Sequence, residues 1–346
     1  MPSKLIRWLP AVVAPVVVAG AVAVPITAAA APPQLAQKSA AQVLALVAKA
    51  RALPGFSGTV QQTSDLGLPE VSSLSPGGDS DTGSALETVT GDHTARVWVA
   101  GADRSRVAVL DSTGERDVVR NGDTVWTWDS EKKRAVEVTL DGTGARAPHA
   151  STTTPQEAAD ELLRRVGPTT TTSVTTAQRV AGRDAYTLAL TPKTDATTIG
   201  SIRLAVDAAT GLPLRVQAFA RGASSPAAEV AFSSIDYGTP ASDRFTFTPP
   251  SDATVQKKRV EAPSAADRGS AASAPRPTVT GEGWSAIAEY DQVPSDIASD
   301  STVQRLTSAV AGGRVLRTAL VNVLLTDDGH VLAGAVPVSS LQAAAR

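Results

Sequence analysis

The chain has 346 residues, enough for one large domain or two ordinary ones, and carries 32 basic against 34 acidic side chains. That near balance points away from a nucleic-acid partner. The lack of cysteine excludes disulfides, thiolate metal sites and a lipid-modified N-terminal cysteine, and leaves stability to packing alone.

Lys4 and Arg7 form a short basic head before an apolar run, Leu9 to Ala31. Ala28-Ala29-Ala30 offers the small residues a signal peptidase reads, so residues 1–30 are expected to be a cleaved export signal. An uncleaved anchor is the alternative, because the run is about long enough to span a bilayer. Either way the bulk of the chain is expected outside the cytoplasm. Gln34 to Leu53 reads as a helix, with Leu35, Val43, Leu44, Leu46 and Val47 at helical spacing and Pro54-Gly55 as its stop.

Short strands follow. Thr59–Thr63 is one, and the Gly/Ser/Pro/Asp stretch Leu66–Ser84 reads as a loop. Ala95–Ala100, Arg104–Leu110, Glu115–Arg120, Thr124–Trp128 and Arg134–Leu140 are expected strands, turning at Thr113-Gly114 and Asn121-Gly122. Thr154-Pro155-Gln156-Glu157 is a capping signature for a helix from Ala158 to Val166, stopped by Gly167-Pro168. Strands resume at Thr170–Arg179, Ala185–Leu190, Ser201–Asp207, Leu212–Phe219 and Glu229–Ile235, and close with Phe245-Thr246-Phe247-Thr248. In that last segment two of the five phenylalanines alternate with threonines, so both rings share one strand face, and Pro249-Pro250 ends it. Strands so closely spaced imply an α+β fold built on a single curved antiparallel sheet rather than βαβ units.

From Lys257-Lys258-Arg259 a Ser/Ala/Pro/Arg tract reads as a linker, set at residues 261–280 between a main domain, 34–260, and a small α+β C-terminal unit, 281–346. That unit is expected to hold a strand at Trp284–Tyr290, a helix near Thr302–Ala311 and a hairpin, Ala319–Thr326 with His330–Val336. Some 65 residues make a marginal core alone, so the unit is expected to dock on the main sheet.

Catalytic and metal signatures fail one by one. His93, His149 and His330 stand far apart in turn-like contexts and read as solvated loop histidines. Ser57 in Gly-Phe-Ser-Gly lacks the spacing of a nucleophile elbow, and Asp79-x-Asp81 lacks the glycine and glutamate of a calcium loop. With no P-loop or dinucleotide fingerprint either, the sequence reads as a binder, not an enzyme, with no cofactor. Trp98, Arg104, Leu110, Trp126, Trp128, Val136 and Val138 are the candidate ligand-binding residues, lining an aliphatic cavity on the concave face of the sheet. An ordinary packed core is the competing reading for each tryptophan.

Asp243 to Pro250 followed by Val255 resembles the last strand of LolA, the periplasmic lipoprotein carrier, and of relatives such as RseB. Asn121 to Trp128 resembles that family's Asp-Gly-x-x-hydrophobic-Trp hairpin, and Val180–Tyr186 and Asp207–Pro213 resemble hairpins of these sheets. Thr154-Pro155 falls where the family places a lid helix. Roughly Gln34 to Val260 is covered. The resemblance implies a half β-barrel whose concave face is covered by helices and holds the acyl chains of a lipoprotein or (glyco)lipid. An arginine beside a proline assists cargo release in LolA; here the nearest match, Arg104, is displaced and has no proline beside it. The extra C-terminal unit matches RseB better, which implies as an alternative a regulator that senses envelope lipids and acts on a membrane-bound anti-sigma factor. A structural envelope protein without ligand is a third reading, and a monomer is expected in each. Alanine and arginine usage is that of a GC-rich genome, such as an actinobacterium's.

Overall fold

The computed structural model describes residues 33–50, 53–68, 92–110, 114–141, 154, 167–261, 277–291 and 301–346. The expected export signal, most of the 66–84 loop, the lid helix after Thr154, His149 and most of the expected linker lie outside the described residues.

Twelve strands form one open sheet: β1 Gly55–Ser64, β2 His93–Ala100, β3 Arg104–Leu110, β4 Glu115–Asn121, β5 Thr124–Asp129, β6 Arg134–Asp141, β7 Thr170–Val180, β8 Arg183–Pro192, β9 Ile199–Asp207, β10 Pro213–Ala220, β11 Ala228–Tyr237 and β12 Thr254–Glu261. Their spatial order is β12-β6-β5-β4-β3-β2-β1-β11-β10-β9-β8-β7. Two meanders therefore step outward from a central β1–β11 pair. Every neighbouring pair is antiparallel except β12 with β6. The seam is shaped locally: a register shift opposite Thr59/Val60 inserts an extra residue in β11, and a side chain at Gly58 would meet the Phe232 ring and the Ser234 carbonyl.

Helix α1, Ala40–Ala50, is shorter than the apolar stripe suggests. Ser39 and Gln42 form a capping box: the Ser39 main-chain N–H donates to Gln42 Oε1 at 2.8 Å, and the Gln42 N–H donates to Ser39 Oγ at 3.2 Å. That reciprocal pair sets the helix start at Ala40. Val43 and Val47 then pack on Tyr186, Leu188, Leu190, Ile202, Leu204, Val206 and Val216, all buried. The loop after β9 receives the end of α1, where any side chain at Gly211 (φ +80°) would fall 2.1 Å from the Leu46 carbonyl oxygen. Asp207 holds this loop. Burial would raise its pKa, but Arg183 Nε at 2.9 Å and the Thr210 and Ala209 N–H groups outweigh burial and hold it below the usual carboxylate range.

The expected closing strand at Phe245–Thr248 is a correction. Ser242–Phe245 is a single 3-10 turn, and residues 246–250 pair with no strand. The chain leaves β11 at the centre of the sheet and must reach the far side of β6, because a parallel pair requires a crossover. Residues 238–253 make that crossing as a strap over the strands. The Phe/Thr alternation still holds, with Phe245 and Phe247 turned to the sheet and Thr246 and Thr248 exposed. Lys257-Lys258-Arg259 are likewise not linker. They belong to β12, an edge strand whose residues 254–259 are exposed apart from the β6 ladder, a charged edge that resists pairing with other chains.

A second sheet comprises β13 Thr278–Thr280, β14 Ile287–Tyr290, β15 Thr307–Val310, β16 Gly313–Arg317, β17 Asn322–Thr326 and β18 Val331–Gly334, in the order β13-β14-β18-β17-β16-β15. Helices α2, Ser301–Leu306, and α3, Val338–Ala344, flank it. The helix expected to reach Ala311 stops at Leu306 because Thr307–Val310 joins a hairpin with β16; Thr307 Oγ1 donates to the Val303 carbonyl as it ends. Trp284, expected in a strand, sits in a 3-10 turn before β14. Its Nε1 donates to Thr170 Oγ1 at 2.8 Å, and Thr197 Oγ1 donates to the Ala335 carbonyl at 2.6 Å. Trp284 and Leu320 also enter the α1 cluster, so this sheet closes one end of the large one.

Candidate functional site

Strand pairing sorts the side chains of β2–β6 onto two faces. On the α1 face, Val97 lies opposite Val107, Val107 opposite Val118, Val118 opposite Thr127, and Thr127 opposite Val136. Flanking rows add Ala95 with Val109 and Val125 with Val138. The central row is aliphatic but for Thr127, and stiff because valine has restricted rotamers, while the flanking rows turn polar at Arg116, Asp129 and Arg134 on one side and at Ser105 and Arg120 on the other. Val97, Val109 and Val125 are buried, whereas Val99, Val107, Val118 and Val136 are half-buried. Arg116 and Arg120 share the face at its two margins, each a strand position away from Val118.

The opposite face carries the aromatics and the strap. Trp98 lies in one cross-strand row with Arg106, Val119 and Trp126. Its ring has the Arg106 and Arg244 guanidinium carbons 5.7 and 5.8 Å from the centroid. Arg104 stands 5.7 Å from the ring centre of Phe245, which is only 1% exposed. Phe247 packs at 5.5 Å from Trp126 and 6.0 Å from Trp128. Asp117, 3% exposed, lies opposite Trp128 and accepts from Arg106 Nη2. Burial pushes its carboxyl up to about 6, more than the Arg106 charge draws it down.

The candidate residues therefore divide. Trp98, Arg104, Trp126 and Trp128 hold the strap, and Leu110 shares their face at 41% exposure. Val136 and Val138 lie on the α1 face. Sequence reasoning set all seven around one cavity because it treated neighbouring strands as sharing parity, and parity depends on register, which sequence does not display. It also passed over Val97, Val107 and Val118, whose alternation along β2, β3 and β4 was the available signal.

The histidines are placed differently from expectation in one case. His93 is buried at the start of β2, not in a solvated loop. His330 Nδ1 lies 3.0 Å from Glu289 Oε1 beside the β17–β18 turn. Among the described residues no three His, Asp or Glu side chains gather as metal ligands, and no helix is long and apolar enough to cross a membrane. What the α1 face of β2–β6 can do chemically is offer apolar contact to an aliphatic ligand.

The solved structure of MucB is 18% identical, with 88% of this chain and 94% of that one covered and a TM-score of 0.44. The MucA/MucB complex of Pseudomonas aeruginosa gives 17%, 88%, 96% and 0.46. A LolA superfamily protein from Nitrosomonas europaea gives 12%, 61%, 99% and 0.25. No curated protein matches the chain. The model of the MucB/RseB N-terminal domain matches residues 83–259, from ahead of β2 to β12 and just over half of the sequence, and the chain accordingly belongs to the MucB/RseB family.

Proposed function

We propose that this chain is an exported binding protein of the cell envelope that takes the acyl chains of a lipoprotein or lipid on the valine-lined face of β2–β6. The observation that carries the reading is the aliphatic row Val97, Val107, Val118 and Val136, buried at Val97 and half-buried from Val107 onward, which runs across four of the five strands with a single threonine in it. Each buried methylene contributes about 0.8 kcal/mol, so a sixteen-carbon chain gains roughly 12 kcal/mol gross, close to what a bilayer offers the same chain. Such a site works by sampling lipid that has left its membrane, without a large affinity of its own.

A second reading is favoured by two observations. The matched family is MucB/RseB, and the solved complex of P. aeruginosa MucB is with MucA. In addition Arg104, the candidate for a cargo-release arginine, stacks on Phe245 on the other face of the sheet. Both support a regulator that responds to acyl ligand and acts on a protein partner such as a membrane-bound anti-sigma factor, in preference to a shuttle.

Mass spectrometry of protein purified from its own host is expected to find co-purified lipid. A fluorescent long-chain fatty acid is expected to bind, and Val118→Arg to weaken it tenfold or more, by roughly 1.4 kcal/mol or above. Lipid-free protein with no affinity for the probe would remove the reading.

A further inference from the structure

On the α1 face of the central strand β1, the apolar pattern breaks twice in succession. Val60 is followed on that face by Gln62 and then Ser64. Gln62 is 1% exposed, and neither its Oε1 nor its Nε2 has a hydrogen-bond partner among the described residues; buried Ser64 Oγ has none either. The neighbours by register are apolar on the β11 side, with Val230 opposite Gln62 and Ala228 opposite Ser64, both buried. On the other side buried His93 stands opposite Gln62. Buried side-chain amides in folded proteins are almost always bonded, because burial strips both ends of water at a cost that only a partner recovers.

The pair is continuous with the valine floor. Val60 lies opposite Ala95, and Ala95 opposite Val109, so on that face Gln62 sits one position and Ser64 two positions beyond the end of the aliphatic surface. A ligand whose chain lies on the valines would bring its linkage group here. The chemistry of Gln62 then discriminates between linkages. Gln62 Oε1 can only accept, so a group that satisfies it must offer an N–H, and the Ser64 hydroxyl beside it can donate to a carbonyl. A trans secondary amide, whose N–H and C=O point in opposite directions, offers one to each. An ester, a phosphodiester or the ionised carboxylate of a fatty acid offers acceptors only, and would leave Gln62 Oε1 unbonded.

We infer that Gln62 and Ser64 form a polar subsite for the amide linkage of N-acylated lipids, so that the protein selects amide-linked over ester-linked chains. The inference rests on the acyl-binding reading above. It is tested with the full chain by displacing a fluorescent fatty acid with two probes that differ only at one atom, N-palmitoylethanolamine and ethylene glycol monopalmitate. The wild type is expected to bind the amide about tenfold more tightly, the scale of one well-made buried hydrogen bond. Gln62→Leu is expected to bring the ratio to near one, and Ser64→Ala to lower it less. Gln62→Met, flexible and of similar length, serves if the leucine variant does not fold. A wild-type ratio near one, or a ratio unchanged in a folded Gln62 variant, overturns the subsite and leaves acyl binding standing. Failure of both probes and the fatty acid to bind overturns acyl binding, and this inference with it.

Discussion

The two halves of the twelve-stranded sheet share a face but not a packing. In β7–β11 that face is built from Leu188, Leu190, Leu204 and Ile202 and is sealed by α1, Trp284 and Leu320. In β2–β6 it is built from valine, and four of those valines stay half-buried. Leucine fills the depth between sheet and helix, whereas valine makes a shallow, rigid floor. The difference teaches that one half is closed over its own core, whereas the other leaves aliphatic side chains only partly covered, the surface on which the proposed ligand would lie.

The largest expected effects separate the halves. Leu204→Ala, at a fully buried site, is expected to cost about 3 to 5 kcal/mol in urea unfolding, and Val118→Ala about 1 kcal/mol or less. Equal costs would mean that both halves are packed alike and would break the comparison. Phe245→Ala is expected to cost about 3 kcal/mol by loosening the strap. Phe247→Ala, half-exposed, should cost less yet change tryptophan fluorescence through Trp126 and Trp128. Unchanged emission would place the strap elsewhere. Gly211→Ala forces a Cβ against Leu46 in left-handed backbone, and about 2 kcal/mol with faster amide exchange in α1 is expected; exchange rising instead in β2–β6 would contradict the role given to this loop.

The smallest effect concerns pH. The Asp117 carboxyl titrates near 6 in the fold and close to 3.8 unfolded, so between those values the folded state holds the extra proton. Its contribution to stability is present below about pH 4 and is lost as pH rises through about 6. Asp117→Asn is expected to flatten that part of the stability profile; an unaltered slope would show that Arg106 holds the ionised form after all.

Much of the sheet was legible. Hairpin turns such as Asn121-Gly122 and the alternation of β2 to β6 put most strands within a few residues of their places. The failures have specific causes. Phe245-x-Phe247 carries true in-out alternation, but alternation records which residues face an apolar surface, not whether a ladder runs beside them, and the prolines that seemed to end a strand belong to a strap. Lys257-Lys258-Arg259 resembled a linker because an edge strand can be as polar as one. The Ser39/Gln42 capping box was present in the sequence and went unread. The candidate site divided across two faces because its strands were aligned without a register.

Photo-crosslinking with a diazirine-bearing sixteen-carbon acyl probe, followed by peptide mapping, tests the central claim most directly. Labels are expected on Val99, Val107, Val118 and Val136, the half-buried valines on the α1 face of β2–β6. Labels concentrated instead on Trp98, Trp126, Trp128 or the strap at Phe245–Phe247 would contradict it.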